Sequence, residues 1–160
     1  LLLVGQGTEG ERLRRLAAAL PGGDRIRFLG VRAHEALAQC YQAADVFVFA
    51  SETETQGLVL AEAAACGLPA VAVNAPGCDE VVRDGETGVL TKQDPATLGE
   101  AVIGLLLDRE RRGRMGRRAR QIAEREFDVR LQIERTLSLY AEAVARCHTR
   151  LSQAIHGPLA

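Results

Sequence analysis

Five short apolar runs recur along the chain, each set off by polar turns from stretches that have helical spacing. The runs are Leu1–Val4, Ile26–Leu29, Val46–Phe49, Ala70–Val73 and Val89–Leu90, and their length and apolar character predict buried strands. Glu11–Leu20 and His34–Ala44 read as helices, the second with Leu37, Cys40, Tyr41 and Ala44 on one face. Leu58–Cys66 contains no Pro or Gly and is rich in good helix formers. Gly67 stands where a left-handed stop is expected, and Pro69 prevents continuation. Asp79–Val82 predicts a short helical turn, and Asp84-Gly85 and Thr87-Gly88 mark turns beyond it. Asp94 predicts an N-cap with Pro95 at the first helical position, ahead of an apolar face made by Leu98, Val102, Leu105 and Leu106. Phe127–Val144 predicts a final amphipathic helix with Leu131, Leu137, Tyr140 and Val144, whereas Thr149–Ala160 has no strong pattern and is expected to fray. Strands that alternate with helices in this way predict an α/β domain around a mainly parallel sheet.

Composition changes this picture little. The 160 residues suffice for one domain with a real core, and 47% apolar with 26% charged residues is ordinary for a soluble globular protein. A formal net charge of −1 implies no polyanionic partner, and scarce aromatics with no Trp argue against a stacking platform for nucleic acid. No apolar run approaches a membrane span, and no basic-then-apolar leader is present. Cys40, Cys66, Cys78 and Cys147 have no metal-ligand spacing, so free thiols in a cytoplasmic protein are expected and no metal is assigned. Asp108–Arg120 carries seven arginines. That run suits either a phosphate or anionic-lipid patch or a solvated helix face, and the interspersed Glu110 and nearby Glu124 and Glu126 favour the face.

Chemistry concentrates in Ser51–Pro69. Glu54 lies in the loop before the predicted helix, and Glu62 lies one turn beyond Leu58 on the same face. A helix that starts near Gly57 presents unpaired N–H groups and the positive end of its dipole, which can hold a phosphate. A carboxylate one turn further can accept hydrogen bonds from a ribose diol, and one in the loop can face whatever the phosphate carries. The constellation suits a nucleotide-linked sugar. Taken alone, the two glutamates are better read as a carboxylate near an N-cap and a solvated one, since exposed Glu is common on helices.

The order of residues in this stretch resembles the signature of the retaining glycosyltransferases of the GT-B fold, family four, the glycosyl transferases group 1. Ser51, Glu54, Gly57, Leu58, Val59, Glu62, Ala63, Ala65, Gly67 and Pro69 match in register, including the Glu-x7-Glu spacing. Gln56 replaces the usual Phe and Ala64 the usual Met. The form Thr-Glu-Thr-Gln-Gly-Leu-Val is similar to a subset that includes glycolipid synthases. Ala44-Asp45-Val46-Phe47-Val48 also fits the family, as do Gly77, Glu80, Val82, Asp84, Gly85, Gly88 and Leu90. Phe127 resembles the family's Phe-Ser-Trp start, with Asp128-Val129 in place of Ser-Trp.

The resemblance spans residues 1–144, with 145–160 as a tail. It implies the C-terminal, donor-binding lobe of a GT-B enzyme, Rossmann-like and doubly wound in the order 3-2-1-4-5-6, whose first and central strand these residues lack. It implies transfer of a hexose, with retention, from a UDP-glucose or GDP-mannose type of donor to a glycan or lipid acceptor. It implies no cofactor. Glu54 is then the catalytic residue at the donor sugar, and Glu62 binds the ribose. Gly57, Leu58 and Val59 offer N–H groups to the phosphates, and the base lies near Val31 and Arg32. A basic clamp for the pyrophosphate and most of the acceptor site are expected outside these residues, so the 160 residues alone are expected to be inactive. Self-association through unpaired strand edges, peripheral contact with the inner face of the membrane, and a last helix that returns toward the other lobe complete the expectations.

Two other readings compete. One is a non-catalytic nucleotide-sugar-binding domain. The other is an NAD(P)-dependent oxidoreductase, because Gly5-Gln6-Gly7-Thr8-Glu9-Gly10 is a literal G-x-G-x-x-G between a strand and a helix. The next strand ends in Gly30-Val31-Arg32 without the acidic residue a dinucleotide site needs, and Asp24 precedes the strand. A tight structural turn accounts for the glycines.

Overall fold

The computed structural model describes residues 1–156 of the chain, with side chains up to Cys147. It contains two compact units, Leu1–Ala44 and Asp45–Ala160. In the first, β1 (Leu2–Val4) pairs in parallel with β2 (Arg27–Gly30), and α1 (Gly10–Ala19) makes the crossover. The Arg14 guanidinium lies over the Phe28 ring, 5.2 Å from its centre. α2 (His34–Ala43) follows, with Tyr41 as its buried residue and His34 exposed at its start.

The second unit holds the sheet β3 (Phe47–Phe49), β4 (Ala70–Val73) and β5 (Gly88–Thr91), parallel and in that spatial order. The central strand β4 is buried along its whole length, which explains why its sequence is apolar without alternation. Ala70, Ala72 and Val73 pack with Leu60 of α3 (Leu58–Ala65), and with Cys78, Val81 and Val82 of the following turn. Val71 points the other way, to Leu105 of α4 (Pro95–Leu107) and Met115 of α5 (Arg109–Glu126). The sheet is therefore covered on both faces.

Sequence expectations hold with small shifts. Asp94 caps α4 by accepting from the Thr97 N–H at 2.8 Å, with Pro95 in the first turn. Gly67 has φ +74°, and the N–H groups of Gly67 and Leu68 bond the carbonyls of Ala64 and Ala63, closing α3 with a Schellman motif. The segment expected as a helical turn, Asp79–Val82, is a hydrogen-bonded turn that begins at Cys78. α6 (Val129–His156) runs past the expected end at Val144 and through most of the stretch expected to fray; the final residues 157–160 lie outside the described part. Val129, Ile133, Leu137, Tyr140 and Val144 form an exposed stripe along α6. Among the described strands, β1 pairs only with β2, and β3 only with β4. Among the described residues no helix is long and apolar enough to cross a membrane.

Candidate functional site

The loop that leads into α3 is fixed by contact of backbone on backbone. Gly57 has φ +62°, and a Cβ there would lie 2.7 Å from the Gly77 carbonyl oxygen and 2.8 Å from Val81 Cγ2. Gly77, at φ +80°, would in turn place a Cβ 3.0 Å from the Glu54 carbonyl oxygen. Two segments some twenty residues apart therefore meet at two glycines, and side chains at either would push them apart. The Gly57 carbonyl accepts from the N–H groups of Leu60 and Ala61, both at 2.9 Å, and so starts the helix. The N–H groups of Leu58 and Val59 have no acceptor inside the helix, as at any helix start. Leu58 itself is 63% exposed.

Glu54 does something the sequence did not reveal. Its Oε1 accepts hydrogen bonds from the Thr55 N–H at 2.8 Å and the Gln56 N–H at 3.1 Å. The N–H groups of Gln56, Thr55 and Gly57, in that order of effect, hold its carboxyl below the usual carboxylate range. Glu54 is thus an ionised group seated on the loop's own donors at the positive end of α3.

Glu62 is half-buried and lines an open cleft of about 360 Å³. The apolar floor comes from Leu58, Ala61 and Ala65 of α3, with Ala123 and Phe127 from the end of α5 and its exit. The charged rim is Glu62, Arg120, Glu124 and Asp128. The reading of the sequence found Glu62 but missed Arg120 and Asp128 as its neighbours. They come from a segment nearly sixty residues away, and only the crossing of α3 and α5 brings them in.

Four of the eight arginines of α5 stand in ion pairs. Arg112 donates to Asp45 at 3.2 Å and to the Leu106 carbonyl at 2.6 Å. Arg114 pairs with Glu110 at 2.6 Å, Arg118 with Glu86 at 2.6 Å and Arg120 with Glu124 at 2.7 Å. The solvated-face reading accounts for these better than a phosphate patch does.

The remaining predicted site residues, Val31 and Arg32, belong to the first unit. Both are exposed just after β2, whose last residue, Gly30, has φ +67°. The G-x-G-x-x-G segment is there too. Gly5 has φ +117° and its N–H bonds the Gly30 carbonyl at 2.9 Å, so it does make a turn. A Cβ on Gly7 would meet nothing within 4 Å, and one on Gly10 would meet only the tip of Arg14. The close packing that a dinucleotide fingerprint requires of its last glycine is absent, and Asp24 lies in the 3-10 turn before β2.

Comparison with known proteins agrees with this geometry. The family model described as glycosyl transferases group 1 matches residues 1–122. The D-inositol 3-phosphate glycosyltransferase of Salinispora tropica is 39% identical over 158 residues, covering 94% of this chain and 33% of that protein. The sucrose-phosphate synthase of Thermosynechococcus elongatus superposes with a TM-score of 0.83 at 34% identity, over 91% of this chain and 39% of that one. Anabaena HepE, solved in complex with UDP-glucose, superposes with a TM-score of 0.76 at 32% identity, over 86% of this chain and 40% of that one. The chain spans about a third of the length of the curated relative and two fifths of the solved ones.

Proposed function

The chain belongs to the glycosyl transferases group 1, and from that premise we propose that it is the donor-binding lobe of a retaining hexosyltransferase that uses a nucleoside diphosphate sugar. The observation that carries this reading is Glu62, half-exposed in an open cleft one helical turn from the N-terminus of α3. A ribose diol on Glu62 leaves the attached diphosphate one turn away, at the N–H groups of Leu58 and Val59, where the helix dipole favours negative charge. UDP-glucose bound by the solved HepE supports a nucleotide of this class.

Glu54 then sits where the sugar must be. Its carboxylate is held ionised by backbone N–H groups, which makes it a good acceptor for sugar hydroxyls and a poor nucleophile. We therefore favour front-face transfer. The bond from the anomeric carbon to the β-phosphate oxygen breaks with its electron pair leaving on the phosphate. The acceptor hydroxyl attacks from the same face and passes its proton to that departing oxygen. Glu54 places the sugar, and the N-terminus of α3 stabilises the charge growing on the diphosphate. The acceptor, a glycan or lipid hydroxyl, is held mainly by residues outside this chain.

Kinetics of two variants of the native full-length protein, with UDP-glucose and GDP-mannose as donors, test the assignment. Hydrogen bonds to a charged group contribute about 1.5–3 kcal/mol each, so Glu62→Ala should raise the donor KM by about tenfold or more, with kcat less affected. Glu54→Ala should lower kcat. Wild-type turnover in Glu54→Ala would show that the catalytic face is elsewhere.

A further inference from the structure

Glu54 stands apart from the ion-paired glutamates of its unit. Glu86, Glu110, Glu124 and Glu126 each pair with an arginine. No cationic side chain pairs with Glu54 among the described residues; the groups that hold its carboxyl low are the backbone N–H groups of Gln56, Thr55 and Gly57. These dipoles favour the anion but supply no neutralising charge. The carboxylate also has little freedom to withdraw. Its Oε1 accepts from the Thr55 and Gln56 N–H groups, and the Glu54 carbonyl oxygen lies 3.0 Å from where a Cβ on Gly77 would be.

A carboxylate fixed in this way acts differently before and after transfer. Gly57, the last of its N–H donors, is followed directly by Leu58 and Val59, which start α3. The charge therefore sits at the helix end assigned to the diphosphate. During transfer the sugar carries developing positive charge, as in glycoside cleavage generally, and the carboxylate matches it. Afterwards the sugar has gone. Once the departing oxygen has lost the proton it took up, the terminal phosphate carries one more negative charge than in the donor. Two like charges then share one helix end. The field of Glu54 also extends beyond its own loop. Burial is the main cause that raises the pKa of the Cys78 thiol, a backbone hydrogen bond at Ala75 opposes it, and the Glu54 charge raises it further.

We propose that Glu54 promotes release of the nucleoside diphosphate product: its carboxylate, fixed on the loop, repels the diphosphate that remains at the start of α3 once the sugar has left. This deepens the reading above and rests on its placement of the diphosphate. The effect is electrostatic. It follows the charge at position 54 rather than the shape of the side chain, and it weakens as salt screens it.

Calorimetric titration of UDP and of GDP into the native full-length protein at low salt tests it, repeated on Glu54→Gln. The amide keeps a carbonyl oxygen for the Thr55 and Gln56 N–H groups and removes the charge. Unit charges about 10 Å apart near a protein surface change an affinity by about tenfold. The diphosphate that binds wild type should therefore bind Glu54→Gln about tenfold more tightly, and its inhibition constant as a product should fall to match. The matching nucleotide sugar should gain no more than about twofold, because hydrogen bonds from its hydroxyls to a charged group are weakened at the same time. Glu54→Asp keeps the charge and should stay within about threefold of wild type. Added salt should shrink the gain of Glu54→Gln. Should Glu54→Gln fail to fold, Glu54→Ala carries the same comparison. A diphosphate that binds the neutral variant no more tightly than wild type, a gain as large in Glu54→Asp or for the nucleotide sugar, or a gain that salt leaves unchanged overturns the proposal and leaves the donor site standing. No binding of either diphosphate to wild type, or binding that Glu62→Ala leaves unchanged, overturns the donor site and the proposal with it.

Discussion

Gly57→Ala isolates what holds the donor loop in place. Two costs add. An L-residue in the left-handed region costs roughly 1–2 kcal/mol. The new Cβ would also sit 2.7 Å from the Gly77 carbonyl oxygen and 2.8 Å from Val81 Cγ2, neither at the far end of a flexible side chain. Relieving such overpacking costs about 1–3 kcal/mol more. A more restricted unfolded chain returns about 0.4–1 kcal/mol, so the expected net loss is about 2–4 kcal/mol, a large part of the 5–15 kcal/mol typical of a domain. Gly85→Ala is the control. Gly85 has φ +75° but open space around it, so its variant carries the backbone cost alone. Urea unfolding of both variants, read by circular dichroism with slopes compared, gives the difference. If Gly57→Ala is no more destabilised than Gly85→Ala, the loop is not clamped by Gly77 as described. The same geometry means that a bulkier Gly57→Val variant reports clamp failure as well as any obstruction of a phosphate, so Glu62 is the cleaner probe of the donor site.

Two further outcomes are expected. The Glu54 carboxyl, held low by the N–H groups of Gln56, Thr55 and Gly57, should titrate by NMR below the ordinary carboxylate range. Its contribution to stability is present above its unfolded pKa and lost as pH falls through the folded value, so Glu54→Gln should flatten the acid side of the stability profile; an unshifted Glu54 titration would contradict the contacts. Leu2 and Val4 of β1 and Val48 of β3 are exposed, and each of these strands pairs on one side only among the described strands. The isolated 160 residues should therefore self-associate, and sedimentation equilibrium that finds a monomer as stable as the native full-length protein would refute this.

Much of the fold was legible because each element carries its own signals. Buried strands need no alternation, so β4 reads from four apolar residues in a row. Asp94 and Gly67 mark a helix start and a helix end through local hydrogen bonds. What could not be read depends on distance. Gly116 looks like a poor helix residue until Gly67 is placed against it, and Arg120 looks like one arginine among many until that crossing sets it on the cleft that Glu62 also lines. The loop contacts of Glu54 were hidden for another reason. A side chain may turn outward to a ligand or back to its own backbone, and the residue order is the same for both. The literal G-x-G-x-x-G reads as a tight turn because the next strand ends without an acidic residue, and the open space around Gly7 agrees with that reading.

The central claim is that the N-terminus of α3 and Glu62 hold a nucleoside diphosphate. Isothermal titration of the native full-length protein with UDP, GDP and NAD, repeated on Glu62→Ala, tests it most directly. The account predicts that UDP or GDP binds, that the matching nucleotide sugar competes for the same site, that Glu62→Ala weakens the nucleotide by about tenfold or more, and that NAD gives no saturable heat. Saturable NAD binding that Glu62→Ala leaves unchanged, with no heat from either diphosphate, would contradict it.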